Sequence, residues 1–133
     1  MDKEKELLFV KNFIIKQKRE RILYELASNK KRKNAISRFC HMASDYIDIK
    51  KIVYEGDILN ETKLLEMIGK FTKKNIGYVI SWDEDVDGTF LDIDLAISKA
   101  IEDDMVTIVI IDNVALIKTE QEDGAAKSYI LKV

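Results

Sequence analysis

An α+β domain is the fold class this sequence predicts: an N-terminal helical hairpin and a four- or five-stranded, mixed but mainly antiparallel sheet, with helices mostly on one face. Three observations lead to it. Residues 1–27 contain neither Gly nor Pro and repeat apolar residues at helical spacing. Met105 to Ile111, Met-Val-Thr-Ile-Val-Ile-Ile, is apolar everywhere except Thr107 and does not alternate, which marks an interior strand covered on both faces or nearly so. Asp112-Asn113 then has the length and chemistry of a two-residue hairpin turn with both residues at positive φ, so the last strands follow as an antiparallel meander. At 133 residues one core suffices, and 1–133 reads as a single domain.

Taken in order, Met1 to Ala27 predicts one long helix, with Leu8, Ile15 and Ile22 seven apart and Phe9, Phe13, Leu23 and Leu26 widening the stripe. Between its two apolar clusters, the stem of Lys18 or Arg19 has to cover the stripe with methylenes. A second helix starts near Lys30, capped by Ser28 or Asn29, because Ile36, Phe39, Cys40, Ala43 and Ile47 share a face. From Asp48 to Asn60 the pattern is weak, and Ile52-Val53-Tyr54 reads as a short edge strand or a packed loop. Asn60 caps a third helix, Glu61 to about Lys73, followed by a strand over Ile76 to Trp82 in which Gly77 marks a bulge or a close backbone approach. A turn at Asp87-Gly88 leads to a fourth helix, about Asp92 to Glu102, which would let the strands before and after it pair in parallel by a right-handed crossover. Val114 to Thr119, a loop over Glu120 to Ala126 and a strand over Ser128 to Val133 complete the chain.

Composition limits the function classes. Apolar residues make up 47% and charged residues 35%, a globular balance with well-solvated helix faces. The single cysteine, Cys40, excludes an internal disulfide and a multi-cysteine zinc cluster, and no apolar run is long enough for a signal peptide or membrane span. The expectation is a cytoplasmic protein without membrane contact and without a cofactor. Net charge divides along the chain: residues 1–55 hold 14 Lys+Arg against 8 Asp+Glu, and residues 56–133 hold 8 against 16. Such a division marks either an anionic partner for the first half or basic helices lying near the acidic loops of the same molecule.

The second half resembles a set of uncharacterised bacterial proteins of similar length with no established activity. The shared pieces are a Tyr-Val-Ile-Ser strand (Tyr78 to Ser81), an Asp-Gly turn (Asp87-Gly88), a short helix (Leu91 to Ile101), a strand entry (Asp104 to Thr107) and a terminal aromatic-Ile-Leu strand (Tyr129 to Leu131). In the first half, Lys30-Lys31-Arg32 and Phe39-Cys40-His41 are similar as well. The resemblance implies a shared fold and says nothing of chemistry. This chain departs from the set in Asp104 and Val106, where the others carry glycines, and in the acidity of the run before the Asp-Gly turn.

Three constellations are candidates for chemistry. Read from Asp83, twelve residues place carboxylates at Asp83, Asp85, Asp87 and Asp94, with Gly88 at the turn and Thr89 offering a carbonyl, a pattern similar to an EF-hand calcium loop. The competing reading is a solvated turn whose Asp residues serve as turn formers and caps. His41, the one histidine, lies about 140° from Ile36 on a helix and shares a polar stripe with Arg38 and Asp45, the latter placed to orient the imidazole. No nucleophile, base and oxyanion donor can be assembled around it, so no catalytic residue is assigned. The tract Lys30, Lys31, Arg32 and Lys33, at a helix start that already carries positive dipole charge, is free to meet an anion such as nucleic acid. The leading expectation is a non-catalytic interaction domain whose partner is another protein, of the immunity or regulator type, with a homo-oligomer as a further option. Calcium binding through residues 83–94 and nucleic-acid contact through residues 30–38 are the alternatives.

Overall fold

The Gly- and Pro-free N-terminal stretch forms two helices where one was expected: α1 (Lys3–Phe13) and α2 (Lys16–Ala27). The break falls at Ile14 and Ile15, whose backbones are extended, with ψ of 140° and 146°. Two adjacent β-branched residues favour that conformation, and the polar groups it frees find partners elsewhere. Ile14 bridges Ile47 in antiparallel fashion. The Ile15 N–H donates to the Tyr46 carbonyl at 2.8 Å, and the Asp48 N–H donates to the Phe13 carbonyl at 2.7 Å. Arg19 Nε donates to the Ile14 carbonyl at 2.8 Å, so this arginine serves the break rather than the stripe. The kink also turns Leu8 outward and leaves Phe9, Val10 and Phe13 as the buried face of α1.

The molecule, a computed structural model, describes residues 1–57, 60–120 and 127–133, with His41 described through its backbone alone. Residues 121–126, within the loop expected before the last strand, lie outside the described residues. Helix α3 (Arg32–His41) starts two residues later than the spacing predicts. Ser28 ends α2 and organises the turn, its Oγ accepting from the Lys31 N–H at 3.2 Å and its carbonyl from the Arg32 N–H at 2.9 Å. The expected helical hairpin is thus α2 against α3. Short α4 (Ala43–Tyr46) and a 3₁₀ turn (Ile49–Lys51) lead to β1 (Ile52–Asp57), an edge strand. Helix α5 (Glu61–Gly69) is capped by Asn60, whose side chain accepts from the Lys63 N–H at 2.9 Å. Strands β2 (Ile76–Ser81) and β3 (Thr89–Asp92), helix α6 (Ile93–Glu102), and strands β4 (Thr107–Ile111), β5 (Val114–Lys118) and β6 (Lys127–Lys132) follow.

The six strands lie in the order β1-β6-β5-β4-β2-β3, and every neighbouring pair is antiparallel. The α+β class holds, with more strands than expected and, among the described residues, no parallel pair. The added strand is the physical reason. Residues 89–92 form β3 and pair back onto β2, reversing the chain before α6, so the crossover helix joins β3 to β4 and leaves β2 antiparallel between them. The β4–β5 turn does close on Asp112-Asn113, but among the described non-glycine residues Asp112 alone has positive φ, at 54°.

Strand alternation sorts the core into two layers. Tyr78, Ile80, Ile108, Ile110 and Ile117 face the helical layer of α1 to α4, against Phe9, Phe13, Ile22, Ile36 and Phe39. Val79, Val109, Ile111, Leu116 and Ile130 face α5 and α6, against Leu64, Ile68, Ala96 and Ile97. β4 is interior and buried at all five positions, as its unbroken apolar run predicts. Full burial of each aliphatic side chain there contributes about 1.5–3 kcal/mol.

Gly77 makes the close approach. The β2–β3 register runs through it without a shift, and a Cβ placed there would meet Val109 Cγ1 at 2.7 Å and Ala96 Cβ at 3.6 Å. Gly77→Ala should therefore destabilise the fold by about 1–3 kcal/mol through overpacking against Val109 of β4, measured by urea unfolding. An unchanged midpoint would show that the Val109 side chain has room to turn away.

Candidate functional site

Two charged residues singled out in the sequence, Arg32 and Asp87, turn inward and find each other. Arg32 is 6% exposed, and its guanidinium places every N–H. Nε and Nη2 donate to Asp87 at 2.7 and 3.0 Å, Nη1 and Nη2 donate to Glu6 at 2.7 Å each, and Nη1 also donates to the Leu26 carbonyl at 3.0 Å. Both carboxylates are held bidentately, the geometry a planar fork allows and an ammonium does not. Tyr78 donates its hydroxyl to Glu6 Oε2 at 2.6 Å and accepts from the Asp2 N–H at 3.0 Å, while the Ser81 N–H donates to Asp87 Oδ1 at 3.0 Å. Burial opposes the charge on Arg32, but the bonds to Glu6 and Asp87 outweigh it and hold its pKa above the ordinary range. Burial, together with the bond to Glu6, pushes the Tyr78 hydroxyl up as well.

This network commits one residue of each of two expected sites, Asp87 of the acidic loop and Arg32 of the basic tract. Among the described residues, no three His, Cys, Asp or Glu side chains are placed to hold a metal ion. Asp87 is committed to Arg32, Asp83 Oδ1 accepts from the Asp85 N–H at 3.0 Å as a turn former, and Thr89 donates its hydroxyl to the Val86 carbonyl at 2.6 Å. Asp85 and Asp94 are exposed. The basic tract is likewise dispersed. Arg32 is buried, Lys33 pairs with Glu84 at 2.9 Å and lies over the Trp82 ring at 4.8 Å, Lys31 lies over Tyr24 at 5.1 Å, and Lys30 stands in solvent.

The polar stripe of Arg38, His41 and Asp45 is broken too. α3 stops at His41 and Met42 leaves helical geometry, with φ −120° and ψ 28°, so Asp45 belongs to the next helix. The His41 side chain lies outside what the structure describes. Arg38 instead grips Glu25 of α2 with bonds of 2.7 and 2.8 Å and reaches the Tyr46 hydroxyl at 3.4 Å. The Arg38 bonds hold the Glu25 carboxyl below its usual range despite its burial.

Above the network lies a cleft of about 580 Å³. Met1, Leu7, Leu23, Leu26 and Ala27 form its apolar walls, Glu6 and Arg32 its floor, and Lys3 and Asn29 its rim. The surrounding helical face exposes further apolar surface, with Leu7 48% and Tyr24 61% accessible. Spacing reaches part of this in retrospect. Glu6 sits at i−3, i−4 and i−7 to Phe9, Val10 and Phe13, and Arg32 stands in the same relation to Ala35, Ile36 and Phe39. A charge on an apolar stripe signals a buried partner.

A second buried polar row crosses the sheet on the α5–α6 side, where Ser81, Thr107, Lys118 and Ser128 are register partners in turn. Lys118 is 1% exposed and donates to the Asp103 and Met105 carbonyls, tying the α6–β4 connection to β5. Its burial lowers the pKa, against the pull of Asp103, Asp104, Glu120 and Cys40. The ammonium faces backbone oxygens in a closed space, which suits a tether.

Replacing Arg32 by Lys should cost about 3–5 kcal/mol in chemical unfolding, since a buried carboxylate loses its partner. Asp87→Asn should cost about 1–3 kcal/mol and Asp83→Asn almost nothing. A ranking with Asp83 above Asp87, or a calcium-specific rise in melting temperature, would restore the metal reading.

For the Glu25–Arg38 pair the pH dependence has a defined sign. The folded pKa of Glu25 is depressed below 4.5, so the pair's contribution is complete above that pH and is lost as pH falls through the folded value. The gap in melting temperature between the wild type and Arg38→Met should be widest near neutral pH and narrow below pH 4.5. A gap constant with pH would show that Glu25 is not charged in the fold.

Comparisons of this chain with protein-family models, with curated proteins and with solved structures find no match.

Proposed function

We propose that this chain is a protein-binding domain that performs no chemistry of its own, and that it docks its partner on the helical layer. The observation that carries this reading is the cleft between α1 and α2, with apolar walls from Met1, Leu7, Leu23, Leu26 and Ala27 and exposed Leu7 and Tyr24 beside it. An apolar concavity rimmed by polar residues is the usual form of a site that takes a ligand's anchor groups. The charged residues of the region support the same reading, because Glu6, Arg32, Asp87, Glu25 and Arg38 are bonded to one another and offer no free acid, base or anion clamp.

Nucleic-acid contact has less support, since Arg32 of the basic tract is buried and Lys33 is paired with Glu84, which leaves Lys30 and Lys31 as its fully exposed cations. Among the described residues no helix is long and apolar enough to cross a membrane. A cytoplasmic protein of immunity or regulator type fits these features, and the buried Cys40 is at ease in a reducing compartment.

The test is copurification of the tagged chain from its own host, with Leu7→Asp and Leu23→Asp as paired variants whose folding is checked by thermal melts. A captured protein should be lost roughly tenfold or more on either substitution and should survive nuclease and EDTA. Capture indifferent to both substitutions, or abolished by nuclease or EDTA, would overturn the proposal.

A further inference from the structure

We infer that the occupant of the α1–α2 cleft is an acidic amphipathic helix of a partner protein, an inference that rests on the protein-binding reading above. The cleft's shape argues for a helix. Its walls come from facing positions on two helices, Leu7 on one side and Leu23, Leu26 and Ala27 on the other, the arrangement that accepts apolar anchors spaced i, i+3, i+4 and i+7. Its volume, about 580 Å³, falls within the roughly 300–1,000 Å³ of clefts that bury a ligand's anchor groups. The floor offers an occupant no donor, because all the N–H groups of Arg32 are already bonded within the molecule.

Charge sets the sign of the occupant. Residues 1–31 hold nine Lys+Arg and five Asp+Glu. Two of those acids, Glu6 and Glu25, are buried in bidentate pairs with Arg32 and Arg38 of α3. At the cleft itself Lys3 lines the rim, and exposed Lys30 and Lys31 directly follow the lining residue Asn29 in the chain. A second copy docking helix face to helix face would bring like charges together, whereas glutamates flanking apolar anchors meet complementary potential.

The probes are two synthetic helical peptides of about 18 residues, five turns, with leucines at identical i, i+3, i+4 and i+7 positions and either glutamates or lysines flanking them. Fluorescence anisotropy on the full chain should show the glutamate peptide binding about tenfold or more tighter than the lysine peptide, with affinity falling as salt rises. Leu7→Asp should remove that binding, and the charge-reversed variant Lys3→Glu, Lys30→Glu, Lys31→Glu should invert the preference. Equal binding of the two peptides, a preference untouched by charge reversal, or no binding by either peptide overturns the inference. So does Leu7-dependent binding to phosphatidylserine vesicles, or a Leu7-dependent dimer in sedimentation equilibrium. If the peptides fail while copurification still depends on Leu7 and Leu23, the protein-binding reading stands and only the acidic helix falls.

Discussion

One guanidinium holds the helical layer to the sheet. Arg32 stands at the first turn of α3 and bonds Glu6 of α1, the Leu26 carbonyl at the end of α2 and Asp87 in the loop between β2 and β3. Tyr78 of β2 completes the set through Glu6. Segments more than 70 residues apart in sequence thus meet at one point, Glu6 and Tyr78 being 72 apart. Two carboxylates against one cation leave a net negative charge, and that charge is tolerable because a tyrosine hydroxyl and the Ser81 N–H donate to the remaining carboxylate lone pairs. A buried ion network of this kind contributes little net stability compared with an apolar replacement, yet losing one member is costly. Its effect is on specificity: only one placement of α1, α3 and the acidic loop satisfies all the donors together.

Elements carried by local pattern were legible in the sequence, and those set by distant partners were not. The interior β4, the Asn60 cap, the hairpin turn at Asp112-Asn113 and the α+β class follow from residue type and spacing over a few positions. The break after Phe13 does not, because residues 1–27 alone carry every sign of one helix. What interrupts it is Tyr46 to Asp48 arriving from 31 to 35 residues downstream to take the freed backbone groups. β3 was hidden for a related reason: Thr89 to Asp92 is too short to show a period, and its strand character comes from the ladder offered by β2. Missing those four residues changed the topology, since one extra reversal turns an expected parallel pair into an antiparallel one.

Asp87 and Arg32 each lie in a run of like charges, which reads as solvent-facing, and both side chains turn inward instead. Position within the helix carried the better information. Glu6, Glu25 and Arg32 occupy stripes otherwise filled by Phe9, Phe13, Ile22, Leu26, Ile36 and Phe39, and a charged residue there has to be paired. The identity of each partner, however, depends on how the helices stack on the sheet, which no local spacing encodes.

The same network explains why a cleft remains open above it. Apolar side chains of two adjacent helices ordinarily close over each other, and Leu7 and Leu23 would gain by doing so. Closure would press leucines onto the Glu6–Arg32 plane, and two carboxylates against one guanidinium leave a negative charge there that hydrocarbon solvates less well than water. It would also require α1 to shift, which the bonds from Arg32 and Tyr78 to Glu6 resist at one end and the Ile14–Ile47 bridge resists at the other. The helices are therefore pinned at both ends with an apolar gap between them. The walls are thereby held in position before anything fills the gap, and a preformed concavity has little to reorder on being filled.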